Sequence, residues 1–148
     1  VTGGGIEQHA DGGTVPIVGV FNGCQFTDPT TGEQKFQNFY PASTNASDII
    51  AFIIDDPNVV FEIQADDTFP VADLFGNFDI VYTSSGSTVT GISGAELDVA
   101  TGATGTSLPL TAIDISGDPE NSDVASANTN VLVVIQNHIF GVKGAGLA

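Results

Sequence analysis

Hydrophobic positions along this chain recur mostly every second residue, the spacing of a strand with one face turned inward. The clearest case is Val59, Phe61, Ile63 and Ala65, which alternate with Val60, Glu62 and Gln64. Val15, Ile17, Gly19 and Phe21 alternate in the same way, which predicts a strand with Pro16 near its start. Asp28, Pro29 and Gly32 then stand where a turn wants them, so the segment from Gln25 to Phe39 reads as a hairpin. Pro41 to Ser47 is a loop, after which Ser47 or Asp48 is placed to cap a short helix.

The run Ile49 to Ile54 is continuously apolar and predicts a strand buried on both faces. Asp55 to Asn58 closes it as a turn, so a second hairpin with Val59 to Ala65 is expected. Phe78, Ile80 and Tyr82 give another strand, followed by short ones at Thr88 to Ile92 and Ala95 to Val99, with Gly102 to Ser107 a polar loop. Leu108 and Leu110 are out of phase with Ile113 and Ile115, the mark of a bulge between Thr111 and Ile113. Gly117 to Asn121 is a loop, and Val131 to Phe140 predicts a long final strand. About eight to ten short strands at this spacing imply an all-β fold, a single-domain sandwich or barrel. The glycine-rich flanks, residues 1–14 and 141–148, carry no such period. They are expected to be a flexible N-terminal arm and a C-terminal tail around the β-rich body, residues 15–140.

Composition narrows the class of partner. Two basic residues, Lys35 and Lys143, stand against 18 acidic ones, for a net charge of −16. Nucleic-acid binding needs clustered cations to displace counterions from phosphates, and an anionic membrane would repel this chain. Neither is an expected partner. No segment approaches the roughly 20 apolar residues of a membrane helix, and no basic stretch followed by an apolar one opens the chain, so no signal peptide is expected. Synthesis in a reducing cytoplasm fits these features. The start at Val1 is open to removal of an initiator Met or to proteolysis.

The residues able to do chemistry are few. Cys24 is the single cysteine, so neither an internal disulfide nor a thiolate cluster can form. A thiol nucleophile would have only His9, in the arm, or His138, in the last strand, as its base. Glu62 and Glu96 lie near predicted strands and are the candidate pair for glycoside hydrolysis, but the chain has no Trp and two Tyr to make sugar platforms. The pairs Asp55–Asp56 and Asp66–Asp67 and the run Asp114 to Asp123 offer oxygen ligands, yet none has the spacing of a helix–loop–helix calcium site. Asn45 to Ser47 matches a glycosylation acceptor, which bears only on a secreted eukaryotic protein. No catalytic, cofactor-binding or metal residue is assigned, and the expectation is a chain that is not an enzyme.

Taken in order, several segments carry a family likeness. They are Gly19 to Cys24 (GVFNGC), Phe39 to Ala42 (FYPA), Ile53 to Pro57 (IIDDP) and Phe61 to Ala65 (FEIQA). Ser87 to Gly91 (STVTG), Glu96 to Asp98, Asp118 to Asn121 (DPEN) and Ile135 to His138 (IQNH) continue the series. This ordered set resembles small virion proteins encoded beside the major capsid protein in tailed bacteriophages, marine and cyanobacterial ones included. The chain departs from that pattern at Thr106 to Ser116, where Leu108 to Thr111 stands in place of an Arg-bearing strand. The resemblance implies a capsid cement or decoration protein on the virion surface, bridging major capsid subunits in many copies, with a homotrimer favoured. An adhesion module of a tail or fibre that binds a receptor or glycan is the alternative, and a carbohydrate hydrolase the third.

Overall fold

The computed structural model describes residues 5–141 and residue 146. Among them it has eight strands and almost no helix. They are β1 (Val20–Thr27), β2 (Gln34–Gln37), β3 (Ile50–Ile54) and β4 (Val60–Gln64), then β5 (Asn77–Val81), β6 (Glu96–Ala103), β7 (Leu110–Ile115) and β8 (Asn130–Ile135). One 3-10 turn, Val71–Asp73, links β4 to β5. The strands form two antiparallel sheets, ordered β2-β1-β3 and β4-β8-β7-β5-β6. The all-β fold read from the sequence is therefore the one observed.

The core sits on the five-stranded sheet. In β8, Val131, Val133 and Ile135 are buried while Leu132 and Val134 are half-covered, as the two-residue period requires. They meet Leu97, Leu110, Ala112, Phe69 and Phe78, the last two packed with ring centroids 5.4 Å apart. Each such large side chain contributes roughly 1.5–3 kcal/mol by leaving water. The sheet also curls. Its outer strands approach each other through Ala65, whose neighbour Asp66 donates its N–H to the carbonyl of Leu97 at 3.0 Å.

Strand β5 is buried on both sides along its first four residues. Phe78 and Ile80 face the core; Asn77 and Asp79 face the other way and are still covered. Residues 5–14 help to cover them, since Gly12 lies against Asp79, and Gln8 lies beside Tyr82. Asn137 Nδ2 holds the carbonyl of Thr14 at 3.1 Å. The described part of the expected arm thus runs along the body. Residues 1–4, and the expected tail apart from Gly141 and Gly146, lie outside the described residues.

Several expected elements are displaced, for local reasons. The first strand begins at Val20 rather than Val15, because Gly19 adopts φ +150 and Ile17 makes only a single parallel bridge to His138. No helix follows Ser47; the Asp48 carboxylate instead accepts from the Thr27 N–H at 3.1 Å and its hydroxyl at 2.6 Å. The segment Thr88 to Ile92 is a turn, not a strand, with Gly91 at φ +76 and the Ser87 N–H donating to the Ile92 carbonyl. β6 runs past Val99 and takes in the first two residues of the expected polar loop, ending at Ala103. The final strand stops at Ile135. There Pro109 accepts from the N–H groups of both Gln136 and Asn137 and, lacking an N–H, returns no ladder bond.

The hairpin of β1 and β2 forms as read, its turn held by the Asp28 N–H to the Glu33 carbonyl at 2.8 Å. So does the bulge in β7, where the register against β8 shifts between Ala112 and Asp114. The second expected hairpin does not form. Asp56 closes the turn by accepting from the Asn58 N–H at 2.9 Å, but β3 then pairs with β1 and β4 with β8, so the turn carries the chain from one sheet to the other.

Candidate interaction surface

The three-stranded sheet has one covered face and one open face. Its register puts Cys24 beside Gln37 and Ala51, and Phe26 beside Lys35. On that side the segment from Asn38 to Asp48 folds back over the strands: Tyr40 meets Phe26 edge-on at 6.3 Å, and Cys24 Sγ donates to the Phe39 carbonyl at 3.5 Å. Cys24 and Phe26 are buried as a result.

The opposite face presents Val20, Gln25, Phe36, Ile50 and Phe52, with Gln25 paired between Phe36 and Ile50. Phe36 is 65% exposed, Ile50 55%, Phe52 42% and Val20 39%. Scattered exposed apolar residues are ordinary; four on one face of one sheet are not. This corrects the expectation for Ile49 to Ile54. The run reads as doubly buried, but β3 is an edge strand, and among the described residues nothing covers its outward side chains Ile50 and Phe52.

A bulge shapes this face. Phe21 pairs with Ile53 and Cys24 with Ala51, so Asn22 and Gly23 together oppose Phe52. Gly23 has φ +121, and a Cβ there would meet the Gln37 carbonyl oxygen at 2.7 Å, so no other residue fits without displacing β2. Beside Gly23 a shallow, open groove of about 280 Å³ lies between Phe36 and Phe52, bordered by Asn22, Gln37 and Asn38. Such a groove takes one apolar side chain, the usual form of an interface anchor. The sequence does carry one signal for it, a glycine inside a strand, which marks a bulge or a close backbone approach.

Lys35 lies on the covered side, in an ion pair with Asp28. The Lys35 hydrogen bond, with help from the Thr30 N–H, holds the Asp28 carboxyl below the usual range.

The residues weighed for chemistry are dispersed. Cys24 lies in the three-stranded sheet, where burial pushes its thiol pKa up. His9 Nε2 faces the Val15 carbonyl at 3.2 Å, and His138 Nδ1 accepts from the Phe140 N–H at 3.0 Å, so neither ring partners the thiol. Glu62 accepts from Ser116 Oγ at 2.5 Å and Asn130 Nδ2 at 2.9 Å, tying β4 to β8 and to the loop after β7. Glu96 accepts from Thr83 Oγ1. Asp67, Asp114, Asp118 and Asp123 each accept from nearby backbone N–H groups, as turn residues do. Among the described residues, no three His, Cys, Asp or Glu side chains are grouped to hold a metal ion.

One grouping escapes sequence reading. Asp79 and Asp98 are paired across β5 and β6, with Asp66 and Asp11 close enough to act on Asp98. Burial, and then the charge of Asp66, raises the Asp98 carboxyl pKa. Asp66 Oδ1 accepts from the Val99 N–H at 2.9 Å, and Asp79 Oδ1 from the Ile80 N–H at 2.8 Å. These bonds fix Asp66 against β6 and Asp79 on β5, on either side of Asp98.

Compared with known proteins, the chain matches no family model, no curated protein and no solved structure.

Proposed function

We propose that this chain is a structural virion protein that binds a bacteriophage shell from outside and stabilises it by bridging major capsid subunits, as cement and decoration proteins do. The observation that carries the reading is the open apolar face of Val20, Phe36, Ile50 and Phe52 on a chain of net charge −16. An apolar patch with a groove at its centre is built to be covered by another protein. Strong negative charge disfavours close packing of two copies through that patch. It also keeps the protein clear of the packaged genome. Many copies, as trimers at local threefold points of the shell, would add weak contacts into firm attachment through multivalency.

The test is to locate the protein on purified particles by labelled antibody and by cryo-electron microscopy. Many copies spread over the shell are expected. A few copies at the tail would overturn the reading in favour of the adhesion module, and absence from particles would overturn both.

A further inference from the structure

We propose that Asn22 is a deamidation site, and that its product closes the groove between Phe36 and Phe52 to an apolar partner. The loss of docking rests on the function proposed above; the reaction at Asn22 does not.

Asparagine loses its amide when the backbone nitrogen of the next residue attacks the side-chain carbonyl carbon. A side chain on that next residue obstructs the approach, and glycine has none. Asn22 is the one asparagine in the chain that is followed by glycine. The fold adds three favourable conditions. The bulge places Asn22 and Gly23 together against Phe52, which interrupts the regular ladder at this point. Asn22 is exposed, and its carboxamide makes no hydrogen bond among the described residues. Gly23 holds φ +121, a region in which glycine moves with little steric cost.

The reaction balances simply. A bond forms between the Gly23 nitrogen and Asn22 Cγ, the bond from Cγ to the side-chain nitrogen breaks, and ammonia leaves. Water then opens the resulting succinimide at either carbonyl, giving aspartate or a β-aspartyl linkage. Both products place a carboxylate at the border of the groove. A partner docking there would have to strip water from that charge without an opposing cation at the groove floor. The β-aspartyl product also inserts a main-chain atom into β1 between the pairs Phe21–Ile53 and Cys24–Ala51.

The experiment incubates the folded chain at mildly alkaline pH and follows peptides by mass spectrometry. The expected result is conversion of Asn22 to the acid, with the β-aspartyl isomer separable by chromatography, while exposed Asn58, followed by Val59, keeps its amide. Closure at Asp11–Gly12 leaves the mass unchanged and does not disturb this readout. Persistence of the Asn22 amide in the folded chain, under conditions that convert it in urea, would overturn the assignment. Separately, Asn22→Asp and Asn22→Gln are compared for binding to empty shells of the same phage's major capsid protein. Asn22→Asp is expected to bind roughly tenfold more weakly or worse, and Asn22→Gln to bind like the unmodified chain. Equal binding by both overturns the effect on the groove. Failure of the unmodified chain to bind shells overturns the docking reading and leaves the mass result standing.

Discussion

Asp79 and Asp98 lie directly opposite each other across the antiparallel pair of β5 and β6, two carboxylates where a sheet ordinarily places partners. Like charges in that position are destabilising by roughly 0.2–1 kcal/mol. Burial and the neighbouring Asp66 raise the Asp98 pKa, so over the window above the ordinary carboxyl value the folded state binds more protons than the unfolded one. Stability from this group is therefore greatest below the unfolded pKa and falls as pH rises through the folded one.

Asp98→Asn is expected to stabilise the protein at about pH 7, with the advantage fading as pH falls below about 4. The amide oxygen still accepts from the Ala100 N–H, the bond Asp98 makes at 3.0 Å. Urea unfolding of both proteins across that pH range measures the difference. A variant less stable than the parent at neutral pH would contradict the account.

Phe75 is half-exposed and adopts φ +68, a left-handed conformation that costs a bulky residue about 1–2 kcal/mol. It is held there by its N–H bond to the Ala112 carbonyl at 2.7 Å. Phe75→Asn is expected to be more stable than Phe75→Val by about 1 kcal/mol, since asparagine tolerates this region and a β-branched residue does not. Thermal melts of the two variants decide it.

Phe36 and Phe78 should separate binding from folding. Phe78→Ala removes a fully buried ring and is expected to cost about 3–5 kcal/mol. Phe36→Ser removes a ring that is mostly in water, and is expected to change stability by under about 0.5 kcal/mol while abolishing attachment to shells. Chemical unfolding and co-sedimentation with shells measure the two effects. Full attachment by Phe36→Ser would remove this face from the interface.

Cys24 should resist thiol reagents while the protein is folded, since it is buried and its pKa is raised, and should react quickly in denaturant. Cys24→Ser is expected to keep both fold and attachment, because a serine hydroxyl can still donate to the Phe39 carbonyl. Rapid labelling in native buffer would show that the segment from Asn38 to Asp48 opens readily.

Salt should strengthen attachment. Copies of net charge −16 repel one another on a crowded shell, and the screening length shortens to about 8 Å at physiological ionic strength. Occupancy is expected to fall on desalting. If desalting tightens binding, attraction to a basic shell outweighs repulsion between copies.

Alternation along β4 and β5, the apolar run of β8, and turn chemistry at Asp28 and Asp56 were enough to establish an all-β body from the sequence, because side-chain period and turn residues are local properties. Even the β7 bulge showed, as a change of phase between Leu110 and Ile113. Strand partners did not show. A tight turn after Ile54 implies a hairpin, but pairing is chosen by which strands bury each other's faces, and β4 finds β8 nearly seventy residues on, with Glu62 tied to Asn130. For the same reason the apolar run of β3 gave no sign of its exposure: hydrophobicity is written in the residue, whereas burial depends on what packs above it. The groove at Gly23 and the facing carboxylates of Asp79 and Asp98 likewise exist only once register sets distant residues side by side.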